Sequence, residues 1–169
     1  MKLLIEKVLD LRALYINQLR TMLSAEEQIR EALEKMEAAA ADIQLKEAFR
    51  SHRQETEEHV TRLKHSLEHT AGEADDVKCR TVSSLIKEAD EFVKEAGSGP
   101  VCDAALILAA QRVEHFEIAT YGAMRNFAQA LQLSGDADAW RQTLKEEHHA
   151  DQLLSGISDR INHDAMKLT

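Results

Sequence analysis

A helix runs until something stops it, and this chain carries almost nothing that can. It has one proline and six glycines in 169 residues, and the proline, Pro100, sits in the only Gly/Pro cluster, "GSGP". Between such breakers the apolar residues fall at helical spacing. Leu19, Leu23, Ile29, Leu33 and Met36 mark one face of a long first helix, A, at about 10–41. Asp42 is suited to cap a second helix, B, at about 43–71, with Gly72 as its stop signal. Aromatic residues make up only 4% of the chain, while alanine, leucine, glutamate and lysine abound, so strand formers are scarce and the expected class is all-α.

After an irregular acidic segment, "TVSSLIKEADEFVKEAG" reads as a short crossing helix at about 81–96. Pro100 then opens helix C, about 101–133, and "SGD" is expected to turn the chain into helix D, about 137–161. Two antiparallel hairpins joined by one long crossover is the connectivity of a ferritin-like four-helix bundle, here with a short fifth helix in the crossover. The length suits one domain, 1–169, with a single core.

Several function classes are disfavoured. A net charge of -9 with no long Lys/Arg run argues against a nucleic-acid partner. No apolar run approaches the ~18 residues needed to cross a bilayer. The apolar start "MKLLI" is soon interrupted by charge and lacks a signal cleavage site, so the expected location is cytoplasmic. Cys79 and Cys102 lack metal-ligand or CxxC spacing and are expected to be free thiols.

Each long helix nevertheless carries a carboxylate in the middle of its apolar stripe. The stripes read Leu23, Glu26, Ile29 in A; Phe49, His52, Glu55, His59, Leu63 in B; Ala110, Glu114, Glu117, Tyr121 in C; and Leu144, Glu147, Asp151, Leu154 in D. With a rise of ~1.5 Å per residue, Glu26 and Glu55 both lie roughly 20–24 Å from the A–B turn. The acidic pairs of C and D agree in height to within about 8 Å. Carboxylates gathered at one level of an apolar core need a counter-charge, because an unpaired buried charge costs several kcal/mol.

Two divalent metals would supply that charge, since carboxylate and imidazole donors suit iron and manganese. The candidate ligands are Glu26, Glu55, His59, Glu114, Glu117, Glu147 and Asp151, with Glu55 and Glu114 bridging and the others terminal or switching. His52 is expected to orient Glu55 from the second layer or to act as an alternative ligand. The pairs Glu55/His59 and Glu147/Asp151 occupy matching places and suggest an A–B/C–D pseudo-repeat. Glu146 and His149 form a literal E-x-x-H but point about 100° off the stripe, so Glu147 and Asp151 are preferred. His115 and His148 fall off the stripes. The competing arrangement is an ion-pair network neutralised by Arg30, Arg62 or Arg112.

The segments "AEEQIREALEKM", "LKEAFRSHRQETEEHVTRL", "DAALILAAQRVEHFEIATYG" and "LKEEHHAD" resemble the bacterial YciE/YciF family of ferritin-like proteins over nearly the whole chain. The resemblance implies a four-helix bundle, a homodimer and a link to stress responses. It places the family's motif acids at Glu26, Glu55, Glu114, Glu117, Glu147 and Asp151, with His52 also matching. The second helix C glutamate is similar to one in rubrerythrins, whose di-iron site reduces peroxide. The combined expectation is a di-iron or di-manganese protein acting on oxygen or peroxide. A structural or interaction protein with a non-catalytic metal site is the rival.

Overall fold

The computed structural model describes residues 8–70 and 77–167. Among these residues there are five helices and no strand: α1 Leu11–Ala39, α2 Ile43–Thr70, α3 Arg80–Ala96, α4 Pro100–Ala130 and α5 Ser134–Met166. The stop signal expected at Gly72, and the acidic segment after it, lie outside the described residues. α1 pairs with α2 and α4 with α5, the two hairpins pack against each other, and α3 crosses α4 and α1. This is the four-helix bundle with a helical crossover that the breaker pattern anticipates.

Helix starts follow local chemistry. Asp10 caps α1 by accepting from Ala13 N at 2.7 Å, and Asp42 caps α2 by accepting from Leu45 N at 3.0 Å. Pro100 occupies the first turn of α4, where its missing N–H costs nothing. The preceding turn needs positive φ at Gly97 (72°) and Gly99 (106°), which glycine alone adopts without strain. Two boundaries differ from expectation: α5 runs on to Met166 rather than ending at about 161, and the turn before it is displaced. The chain turns at 131–133 rather than at "SGD", with Gln132 in the left-handed region at φ 60° and Leu133 N donating to Ala128 O at 2.9 Å. Ser134, Gly135 and Asp136 instead form the first turn of α5, where an acid favours the helix dipole.

The core runs the length of the bundle, with Trp140, Tyr15, Tyr121 and Phe49 its largest side chains. α3 adds little to it. Val82 is its one buried residue, and Ile86 and Val93 pack against the core from outside.

One end of the bundle is pinned by a carboxylate that the apolar pattern does not reveal. Asp103, 3% exposed in the first turn of α4, accepts from Ala41 N at 2.8 Å and Asp42 N at 3.0 Å. It therefore ties the α1–α2 turn to the second hairpin. Arg160 of α5 reaches the same turn, donating to Asp42 at 2.7 Å and Gln44 at 2.9 Å. Asp103→Ala orphans two backbone donors and should cost about 2–3 kcal/mol, a fall of roughly 5–10 °C in melting temperature. Arg160→Ala, which breaks an exposed pair, should cost under about 1 kcal/mol by the same melting measurement.

Candidate metal centre

The inward positions of α2 are Leu45, Phe49, His52, Thr56, His59 and Leu63, a spacing of three and four that keeps one face toward the bundle axis. On α5 the corresponding positions are Trp140, Leu144, Glu147, Ala150 and Leu154. α1 contributes Glu26 between Met22 and Ile29, and α4 contributes Glu114 and Glu117 between Ala110 and Tyr121. Glu26, His59, Glu117 and Glu147 are fully buried, with Glu114 at 2% and His52 at 5% exposure.

These side chains form two groups with donor atoms within 4.8 Å of one another, His52/Glu114/Glu117/Glu147 and Glu26/His59/Glu147. Glu147 belongs to both. His52 Nε2 lies 3.2 Å from Glu114 Oε1 and 3.6 Å from Glu147 Oε2. His59 Nδ1 lies 3.1 Å from Glu147 Oε1 and 3.4 Å from Glu26 Oε1. Close as they are, these inner atoms are poorly aligned for hydrogen bonds. Glu26 Oε2, His52 Nε2, His59 Nδ1, Glu114 Oε2 and both oxygens of Glu117 and of Glu147 are buried with no hydrogen-bond partner. Such atoms are rare in a protein interior and call for an occupant.

The outer nitrogen of each imidazole meets a carboxylate on the flank of the bundle. His59 Nε2 donates to Glu146 Oε2 at 2.9 Å, and Glu146 is held in turn by Arg62 and by Gln142 at 2.8 Å. Those hydrogen bonds outweigh partial burial and keep the Glu146 carboxyl ionised, well below the usual range. An ionised carboxylate only accepts, so the proton sits on His59 Nε2 and Nδ1 faces inward. His52 repeats the device, with Nδ1 3.3 Å from Glu55 Oε2 and Nε2 turned inward. A carboxylate behind each imidazole is the usual way to orient a metal-binding histidine.

Without a cation the site is electrostatically strained. Burial and then the neighbouring Glu147, Glu26 and Glu114 push the Glu117 carboxyl well up. Burial raises Glu147 to about 7 despite the opposing imidazoles. Burial disfavours charge on His52 and His59 too, but the surrounding glutamates win and raise both well above 6.5. Protons thus take the place of a counter-ion. With neutral imidazoles, two divalent cations would balance Glu26, Glu114, Glu117 and Glu147 charge for charge, and the oxygen and nitrogen donors fit them.

The structure brings together Glu26, His59, Glu114, Glu117 and Glu147 from the expected ligands. It does not bring in Glu55 or Asp151. Glu55 is one-third exposed because Thr56, fully buried, takes the inward position on α2. Asp151 lies one position past the inward Ala150 and pairs outside the cluster with Gln111 at 3.0 Å and His115 at 3.4 Å. One residue is about 100° of helix, enough to turn a side chain out. The expected relation of His52 to Glu55 is reversed: His52 joins the cluster and Glu55 stands behind it. Glu146 does lie off the stripe, but its side chain reaches His59 from there. Arg62 and Arg112 are bound to Glu146 and Glu88 rather than to the inner acids, and among the described residues the inner acids' ion-pair partners are His52 and His59, not Arg30, so the competing arginine network is not their counter-charge. His115 is exposed, as is His148, and both cysteines are free and buried.

Two small cavities, each of about 30 Å³ and so of the size of one water, meet at Glu114. One is lined by Ser51, His52, Glu55 and His149. The other lies beneath α3 among Ile29, Leu33, Ile86 and Val113.

Known proteins share this architecture. The family model described as "Domain of unknown function (DUF892)" matches residues 10–166. Protein YciF of Escherichia coli (strain K12) is 35% identical over 153 residues, covering 89% of this chain and 92% of its own. The crystal structure of the E. coli stress protein YciF superposes with a TM-score of 0.88 at 32% identity, over 92% of this chain and 99% of that one. YcfI of Rhodopseudomonas palustris gives 0.84 at 33% identity, over 89% and 96%. No helix among the described residues is long and apolar enough to cross a membrane. By its sequence and by its fold, the chain belongs to the YciF-like DUF892 family.

Proposed function

We propose that this chain is a ferritin-like di-metal carboxylate protein, di-iron or di-manganese, which handles peroxide or oxidises iron in a stress response, as a homodimer in the cytoplasm. The carrying observation is the set of buried, unpartnered donor atoms contributed by four helices in two groups that share Glu147. Glu26, His59 and Glu147 hold one ion, and His52, Glu114, Glu117 and Glu147 the other. When bound, such a pair supplies redox chemistry toward oxygen or peroxide. The chain's own part is orientation and exclusion. Glu55 and Glu146 fix the two imidazoles, and the packed helices keep out all but molecules of peroxide size. Burial and its acidic neighbours push the Glu117 carboxyl well up while no cation is present, and a bound cation would favour its carboxylate form.

The test is to purify the protein anaerobically, load iron(II), count metals per chain, then add peroxide and follow absorbance and peroxide loss. Two metals per chain and peroxide consumption are expected. Fewer than one metal per chain, with an unchanged melting temperature, would sink the metal reading. Two metals without turnover would favour the structural rival. Glu147→Ala, which removes the shared carboxylate, should reduce the count below one, whereas Asp151→Asn should retain both metals.

The metal-free protein should also show an inverted pH dependence. His52, His59, Glu117 and Glu147 all have raised folded pKa values, so the folded state holds protons that the unfolded chain releases. Stability is then full below the unfolded values, 4.5 for the glutamates and 6.5 for the histidines, and is lost as pH rises through the folded ones. Glu146 acts in the opposite sense, but below 4.5. Between about pH 5 and 8 the melting temperature of the metal-free form should fall by roughly 5–10 °C. In the metal-loaded form the fall should vanish or reverse, because protons and metal compete for the same atoms.

A further inference from the structure

The only tryptophan of the chain and both of its tyrosines stand in one line, all three fully buried. The line begins at the carboxylate cluster, where Tyr121 Oη donates to Glu26 Oε1. The Tyr121 ring stacks on Trp140, with centroids 5.6 Å apart and planes 29° apart. Trp140 Nε1 donates to Tyr15 Oη at 2.8 Å, and Tyr15 Oη donates to Asp136 Oδ2 at 2.7 Å. Asp136 Oδ1 accepts from Ser66 Oγ at 2.9 Å and lies 3.0 Å from His69 Nε2. His69 is 43% exposed, on a surface cavity of about 270 Å³ also lined by Arg62 and His65.

Core filling alone does not call for this arrangement. Phenylalanine and leucine would fill the volume without hydroxyl and indole N–H groups that need partners in the interior. Here each hydroxyl and the indole N–H has a buried partner, the two halves of the line join through the Tyr121–Trp140 ring stack, and the outermost hydroxyl meets a carboxylate only 4% exposed.

We propose that Tyr121, Trp140 and Tyr15 form a one-electron relay between the carboxylate cluster and the cavity at His69, with Asp136 as acceptor for the Tyr15 proton. Phenol and indole are among the side chains that most readily give up an electron. In one pass the cluster end gains one electron, Tyr121 and Trp140 return to their starting states, and Tyr15 loses one electron. The Tyr15 O–H bond breaks as its proton forms an O–H bond on Asp136 Oδ2. A small organic reductant of the phenol or enediol class, reaching the His69 cavity, returns one electron to Tyr15 and is left one-electron oxidised; the proton returns from Asp136. A peroxide at the cluster end takes two electrons and two protons to give two waters, so it draws on two passes, with the protons coming from solvent. Burial first, and then the hydrogen bond to Asp136, keep the resting Tyr15 hydroxyl protonated, so its oxidation has to release a proton. The relay rests on the metal-centre reading only for the oxidant at its inner end.

The experiment is flash photo-ionisation of Trp140, the sole indole, in the full-length protein, with transient absorption distinguishing indolyl from phenoxyl radicals. The indolyl signal should decay into a phenoxyl signal in wild type and in Tyr121→Phe. In Tyr15→Phe that growth should be lost and the indolyl radical should live several-fold longer. In wild type the transfer should slow in D2O, a comparison that decides the matter even if Tyr15→Phe does not fold. An indolyl lifetime unchanged by Tyr15→Phe, or unchanged in D2O, overturns the relay. Freeze-quenched electron paramagnetic resonance of iron-loaded protein after peroxide should show a phenoxyl radical that Tyr15→Phe loses. Its absence, with the flash result intact, supports the relay and counts against the metal-centre reading.

Discussion

Four glutamates share the interior of this bundle with two imidazoles as their only close ion-pair partners among the described residues, and the structure depends on how that charge is neutralised. Glu26, Glu114, Glu117 and Glu147 come from three different helices, and the histidines from a fourth. Every element of the bundle proper is thus committed to one point in the core. In the absence of a cation, protons on Glu117 and the histidines relieve the repulsion. Such a core would be costly to keep if its purpose were packing, because apolar residues of equal volume hold helices together at least as well.

Around this point the side chains form successive layers. Glu55 and Glu146 stand behind the imidazoles, and Arg62 stands behind Glu146. Along the axis hydrogen bonds link Glu26 to Tyr121 and Trp140 to Tyr15 and Asp136, and the stacked rings of Tyr121 and Trp140 join the two. At the opposite end Asp103 clamps the α1–α2 turn. The bundle is therefore polar along much of its centre, and its rigidity comes from buried hydrogen bonds as well as from the apolar contacts on either side of the site.

Much of this is legible in the sequence, and what is not legible has two physical reasons. Breaker positions and caps gave the helices, since Asp10, Asp42 and Pro100 act locally on the backbone. The convergence of Glu26, Glu114, Glu117 and Glu147 followed from stripes bracketed by apolar residues. Glu55 and Asp151 are acids at a spacing that suits the stripe, yet Thr56 and Ala150 occupy the inward positions. A small residue carries little hydrophobic signal, so the stripe can be read one position off, which is about 100° of rotation. Glu146 shows the converse, since a long side chain starting off the stripe still reaches His59. The Asp103 clamp and the Asp136 network join residues far apart in sequence, and no local pattern encodes such meetings.

The most direct test of the account is anomalous diffraction at the iron and manganese edges from crystals of the metal-loaded protein. Two peaks are predicted per chain, one among Glu26, His59 and Glu147 and the other among His52, Glu114, Glu117 and Glu147, with Glu55 and Glu146 still behind the histidines. A fully loaded crystal with no peak at either place, its carboxylates paired only with imidazolium groups or water, would contradict it.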